Sequence, residues 1–192
     1  EGPFGEFTGY SLGSRKREVV KVKAVCCRKD AIFHDIMVGH LDHLLLSTVP
    51  MEANLLRAVK TAVPTAVAVH IPAPFTAFVS IEKRSEGQGV NAILAALGSE
   101  MYLNTVVVVD HDINIYDNAR VLWAIATRAQ PDMDLVVIPR GRGSDLDPSC
   151  AVDGVTSRMG IDATASPTLD RFTPRHQMPE AILRMADPDL YI

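Results

Sequence analysis

Cysteine is scarce in this chain, at three of 192 residues. Two of the three, Cys26 and Cys27, are neighbours in a strand-like run, where adjacent side chains point to opposite faces and make poor partners. No pair has metal-type spacing. A reducing, cytoplasmic setting is the expectation. Nothing near Cys26, Cys27 or Cys150 would lower a thiol pKa, so all three are expected to be buried structural thiols. Long apolar runs are missing too: no stretch approaches the roughly 20 residues that a membrane helix needs. Basic charge is thin. The net charge is −4, and the densest basic run, Arg15-Lys16-Arg17, is short, so no nucleic-acid partner is expected.

Several nucleotide and metal signatures fail at identifiable positions. Gly141-x-Gly143 follows a strand candidate, but a dinucleotide fingerprint needs a further glycine where Leu146 stands. No Lys-Ser or Lys-Thr follows a glycine-rich run, so a phosphate-binding P-loop is excluded, and the segment reads as a flexible connector. Asp110-x-Asp112-x-Asn114 begins like a calcium loop. Its sixth position is Ile115 rather than glycine and its twelfth is Val121 rather than glutamate. Ser144 and Ser149 lack the context of a nucleophile elbow. His34, His40 and His43 gather near Asp35 and Asp42, where metal binding is conceivable but the spacing matches no familiar zinc pattern; loop or pocket histidines are the ordinary alternative. No internal repeat occurs.

What is present is an ordinary globular composition, 47% hydrophobic and 22% charged, in 192 residues, a length enough for one substantial domain or one and a half small ones. Alternation over Val19–Cys27 predicts a half-buried strand. Residues 30–43 read as a loop. Pro50 at a first turn predicts a helix over Met51–Ala62. Strands are predicted over Thr65–Ile71 and Phe75–Lys83, then a helix over Val90–Leu97 with Gly98 as its C-cap. The run Thr105–Asp110, with four consecutive valines, predicts a central strand covered on both faces. Asp117 caps a helix over Asn118–Arg128, nearly all apolar from Val121 to Ala126 and so expected to be deeply packed. A strand at Asp134–Pro139 completes an expected right-handed crossover. The chain beyond Arg140 reads as loop, with a final helix over Pro179–Ala186.

The first ten residues carry the most chemistry. Glu1 and Glu6 flank Gly-Pro-Phe-Gly, a spacing that aligns them on neither a helix nor a flat strand. A type I turn with Pro3 second and Gly5 fourth would bring them together, and paired carboxylates raise each other's proton affinity. Two solvated loop glutamates are the plainer alternative. The literal string Glu1-Gly2-Pro3-Phe4-Gly5-Glu6-Phe7-Thr8-Gly9-Tyr10 resembles the signature of the UbiD family of decarboxylases, which use prenylated FMN. Three later blocks resemble the family in its own order. They are Val106-Val107-Val108-Val109-Asp110-His111-Asp112-Ile113-Asn114 with Val121–Arg128, Leu146-Asp147-Pro148-Ser149, and Ser157-Arg158-Met159-Gly160-Ile161-Asp162-Ala163-Thr164.

The resemblance implies an α/β (α+β overall) chain. Residues 1–42 would be the C-terminal end of a flavin-binding split β-barrel domain. Residues 43–192 would form a C-terminal three-layer α/β domain with a mixed sheet, its core at 43–140 and a loop-rich tail beyond. The chain opens inside a motif, so a fragment is expected, inactive alone, with most of the flavin domain upstream. Glu6 takes the role of the proton donor, held protonated in a dry pocket by Phe7 and Phe4, and Glu1 that of a hydrogen-bonded arginine–glutamate network. Phe7, His34, His40 and Val49 are expected at the substrate pocket. Prenylated FMN, with a divalent metal (Mn or Mg) and potassium, would be held mainly upstream, so no metal is placed here. Leu97–Asn104 contains no lysine, where some members carry a contact. Aromatic or α,β-unsaturated acids are the implied substrates, electron-rich aromatic acids before cinnamic-type ones, and a homo-oligomer, dimer or larger, is the implied assembly. The rivals are a non-catalytic dimerisation or interaction domain and a flavin oxidoreductase.

Overall fold

Four consecutive valines leave a strand without a solvent face, and the fold is built around that strand. The computed structural model describes residues 2–14, 16–150 and 154–166, with Pro179 and Ile182. A two-residue pair, β1 (Phe4–Gly5) and β2 (Ser11–Leu12), opens the chain. Then come α1 (Leu41–Ala62), β3 (Ala66–Ala73), β4 (Thr76–Ile81), α2 (Gln88–Ser99) and β5 (Thr105–Asp110). They are followed by α3 (Asn118–Arg128), the single turn α4 (Pro131–Asp134), β6 (Leu135–Arg142) and β7 (Val155–Ala163).

The main sheet has the order β3-β4-β5-β7-β6, with β5 at its centre. Strands β4, β5 and β7 are parallel, and β3 and β6 close the two edges antiparallel. Period two sends Val106 and Val108 into a core with Leu55 and Val59 of α1 and Ile93 and Leu97 of α2. It sends Val107 and Val109 to the other face, against Val121 and Ala124 of α3. Helices therefore cover both faces of a mixed sheet, the three-layer α/β arrangement expected. Close approach of α2 to β7 depends on Gly160: a Cβ there would lie 2.1 Å from Ile93 Cγ2.

Several local expectations need correction. Residues 19–27 form no strand; they run exposed, with Val19 at 95% and Val25 at 84%. A strand needs a neighbour's hydrogen-bond ladder, and no described strand pairs with this segment. Cys26 and Cys27 lie exposed on it rather than buried. Phe4 and Gly5 are paired strand residues, not turn residues. Helix α1 starts ten positions earlier than Met51, with Pro50 inside it.

Helix α2 continues through Gly98 to Ser99. The Arg158 guanidinium, instead of a glycine cap, meets its end: it donates to Leu97 O within the helix and to Glu100 O at 3.2 Å and Met101 O at 3.2 Å just beyond it. Helix α3 is capped by Asp117 as expected, at 2.9 Å from the Ala119 amide. It is amphipathic rather than deeply packed, with Leu122 65% exposed. Strand β6 pairs antiparallel with β7, which is itself parallel to β5, so β5-α3-β6 is not a parallel crossover. Gly141 and Arg142 lie within β6, and Gly143 is buried with its amide on Gly154 O at 2.9 Å, so this stretch is no loose connector. Strand β7 occupies a region read as loop. The helix predicted over Pro179–Ala186 falls outside the described residues.

Candidate active site

Glu6 enters the structure through a hairpin. With Phe4 opposite Leu12 and Gly5 opposite Ser11, residues 6–10 are the connecting loop. The Glu6 amide donates to Tyr10 O at 2.9 Å and the Gly9 amide to Glu6 O at 2.9 Å. These backbone bonds shape the loop, and the Glu6 side chain reaches a cleft beside it. That cleft is about 310 Å³, within the range of small-molecule sites, beginning at about 300 Å³.

Phe7 is the hub of the cleft's aromatic wall. Its ring centroid lies 5.5 Å from Phe75, 6.3 Å from His43 and 6.4 Å from Tyr102. Helix α1 supplies another wall through His43, Leu44, Ser47, Thr48 and Met51, a stripe at helical spacing. The His43 Nδ1 atom accepts from the Gly39 amide at 3.3 Å, so the neutral ring carries its proton on Nε2 and is a donor there. Glu52, one residue beyond Met51, ties α1 to β3. Its Oε1 accepts from the Ile71 amide at 2.7 Å and lies 3.0 Å from His70 Nδ1. Ile71 is itself a cleft residue.

The remaining wall comes from Leu103 and Leu146. The Leu146 amide donates to Ser144 Oγ at 3.1 Å, and the buried carboxylate of Asp147 follows it. Asp147 accepts from the Ser149 amide at 2.9 Å, the Ser149 hydroxyl at 2.8 Å and the Asn104 side-chain amide. Burial pushes the Asp147 pKa up, but the hydrogen bonds from Ser149, Asn104 and Cys150 outweigh it and hold the group below its ordinary value. A folded pKa below the unfolded one, about 3.9, gives stability that is complete above the unfolded value and lost as pH falls through the folded one. Asp147→Asn is therefore expected to cost about 1–3 kcal/mol at neutral pH. The deficit should shrink in acid below the unfolded value; parallel thermal melts of wild type and variant check this.

A second polar group lies outside the cleft, at the C-terminal ends of the parallel strands. Arg128 bonds Asp110 Oδ2 at 2.8 Å and Asp112 Oδ2 at 2.6 Å, and its guanidinium lies 5.5 Å from the Trp123 ring centroid. Burial raises Asp110, while the hydrogen bond to Arg128 lowers Asp112. Lys83, only 6% exposed, meets Glu86 at 2.8 Å. Among the described residues no group of three or more His, Cys, Asp or Glu is placed to hold a metal, and no helix is long and apolar enough to cross a membrane.

The structure brings Glu6 and Phe7 together in the cleft. Glu1 lies outside the described residues. His34 is exposed on the segment before α1. His40 stands at the start of α1 in an exposed pair with Asp42 at 3.2 Å. Val49 is 63% exposed and lies across the helix from the cleft-lining stripe. None of these three lines this cleft. The histidine that does is His43, and the signal that marks it is its helical spacing to Ser47 and Met51.

Comparison with known proteins gives consistent relatives. Residues 44–163 match the 3-octaprenyl-4-hydroxybenzoate carboxy-lyase C-terminal domain, and residues 1–41 match the Rift-related domain of the same carboxy-lyase. The chain is 41% identical over 169 residues to the anhydromevalonate phosphate decarboxylase of Methanothermobacter thermautotrophicus, covering 86% of this chain and 40% of that one. It is 34% identical over 178 residues to the phenolic acid decarboxylase of Bacillus subtilis, covering 85% and 36%. Its structure resembles that of the UbiD-class enzyme HmfF from Pelotomaculum thermopropionicum in complex with FMN. The TM-score is 0.91 at 42% identity, over 100% of this chain and 44% of that chain. An evolved dimeric form of the same enzyme in complex with prFMN gives a TM-score of 0.81 at 37% identity, covering 100% of this chain and 41% of that one. The chain spans less than half the length of each of these relatives.

Proposed function

We propose a function from the premise that this chain belongs to the UbiD family of carboxy-lyases. It is the C-terminal portion of a non-oxidative, reversible decarboxylase that uses prenylated FMN, and Glu6 is its proton donor. The carrying observation is that Glu6 lines a cleft together with the rings of Phe7, Phe75, Tyr102 and His43, aliphatic side chains and the hydroxyls of Ser47 and Thr48. A carboxyl group placed there is within reach of a substrate lying in the cleft, as a general acid requires.

Fit to the cofactor can be judged on the residues present. The catalytic end fits: an acid and a ring-lined wall stand where a planar substrate can lie. The chain spans less than half of its relatives' length, and the phosphate and cation end is assigned to the rest of the protein. Prenylated FMN, when bound, supplies the sink for the electrons of the breaking carbon–carbon bond. Glu6 then gives the proton from its carboxyl oxygen to the carbon that lost carbon dioxide. Phe7, Phe75 and Tyr102 orient a flat substrate and exclude water, and His43 Nε2–H donates to a polar substituent.

For the substrate class, the ring wall of Phe7, Phe75 and Tyr102 supports a flat, aromatic carboxylic acid. His43, Ser47, Thr48 and Met51 take the pocket role first expected of His34, His40 and Val49. A homo-oligomeric assembly and a cytoplasmic location complete the proposal.

The test offers the full-length, flavin-loaded protein a set of hydroxylated or heterocyclic aromatic acids and one phosphorylated unsaturated aliphatic acid. Carbon dioxide release from the aromatic acids, with no net flavin reduction, is expected. Turnover of the phosphorylated acid alone overturns the substrate class. Net flavin reduction supports an oxidoreductase, and no release from any acid supports an interaction domain.

A further inference from the structure

Pro74 and Phe75 form the two-residue connection between β3 and β4, whose last pair is Ala73 with Thr76. Proline fixes a φ near −65° and suits the second position of a type II turn, whose third position needs positive φ and is normally glycine. Here that position is Phe75, at φ 60°. A bulky side chain there is unfavourable and persists only where its surroundings over-determine it. The surroundings do so. The Phe75 carbonyl accepts from the Asn104 amide at 2.9 Å and the Thr105 amide at 3.0 Å, which pins the turn to the start of β5. Its ring then stands in the cleft, 5.5 Å from Phe7.

A glycine would make the turn without strain, so the ring's use lies elsewhere. Phe7 follows Glu6 directly, on a hairpin loop shaped by backbone bonds. The face of Phe7 is set by contacts from outside the loop, and Phe75 is the nearest ring among them. We propose that Phe75 is a positioning residue for the acid: a ring held in the cleft by an unfavourable turn, against which Phe7 rests, so that the Glu6 loop is fixed before substrate arrives. The inference rests on Glu6 being the proton donor.

The test compares Phe75→Gly, Phe75→Tyr and wild type in the full-length, flavin-loaded protein by hydrogen exchange, thermal melting and steady-state kinetics. In Phe75→Gly, amide exchange in the segment 4–12 should rise roughly ten-fold while β5 and α2 stay protected. The melting temperature should not fall, because the turn strain is gone. The kcat value should drop about ten- to a hundred-fold, with a smaller change in KM, since misplacement of the acid by a fraction of an ångström suffices. Phe75→Tyr keeps the ring and should restore both exchange and kcat. Unchanged exchange in 4–12 overturns the proposal. So does a lowered melting temperature with faster exchange across β5 and α2, which would make Phe75 a simple packing residue. A wild type without turnover defeats the decarboxylase reading alone, and loop exchange still decides whether Phe75 orders Glu6.

Discussion

Glu6→Gln in the full-length, flavin-loaded protein is expected to lower product formation by about 10²–10⁴-fold while the protein folds as before. Glutamine keeps the shape and size of the side chain but has no proton to give from its oxygen. The hairpin loop depends on the amide of Glu6 and on its carbonyl, both of which the substitution keeps. Because the missing interaction exists only as the proton moves, kcat and kcat/KM should fall together, with KM little changed. Run in deuterated water, the wild-type reaction should place one deuterium on the carbon that lost its carboxyl group. The residual Glu6→Gln reaction should do so only at its reduced rate. Product formation within about threefold of wild type would remove Glu6 from the mechanism, since general acid catalysis contributes far more than that.

The core of the fold was legible because its residues leave few choices. Val106–Val109 have no polar alternation, so only a strand covered on both faces suits them; Asp117 offers the amides of α3 an acceptor wherever that helix packs. Illegible parts depended on partners distant in sequence. Val19–Cys27 has the alternation of a strand, yet alternation describes side chains, and a strand also needs another backbone beside it. Strand β7 was hidden for the opposite reason. Arg158 and Asp162 break its apolar pattern because Arg158 caps α2 and Asp162 bonds Thr164, needs that no window of neighbouring residues displays. Pro50 misled at the site itself. Proline is commonest in a first turn, and reading it so cut off the part of α1 that carries His43, Leu44, Ser47 and Thr48. His43, which lines the cleft, then reads as a loop residue like His34 and His40. Glu6 is proposed from a literal string, whereas Phe75 needs its backbone angle and its neighbour across the cleft.

Arg128→Met is expected to destabilise the fold by about 3–5 kcal/mol, because removing one partner strands a charge already taken out of water. Arg128 is 8% exposed and Asp110 15%, so solvent cannot replace the lost guanidinium at Asp110. Asp112, at 47%, can hydrate and should contribute little. Burial is the largest influence on Asp110 and already pushes its pKa up, against the pull of the Ala165 amide and Arg128. Without Arg128 that rise grows. A carboxyl raised in the folded state favours folding below its unfolded pKa and loses that contribution as pH climbs through the folded value. The Arg128→Met deficit should therefore be largest near neutrality and narrow as the solution is acidified and Asp110 takes up its proton. Replacing both partners, with Asp110→Asn added, removes the stranded charge and should recover at least half of the loss; urea unfolding at two pH values reads all three proteins. A single-variant cost below about 1 kcal/mol would mean that the pair behaves as a surface one. The knot would then have no part in holding the ends of β5 and β7 together, where Asp110 accepts from the Ala165 amide at 2.6 Å.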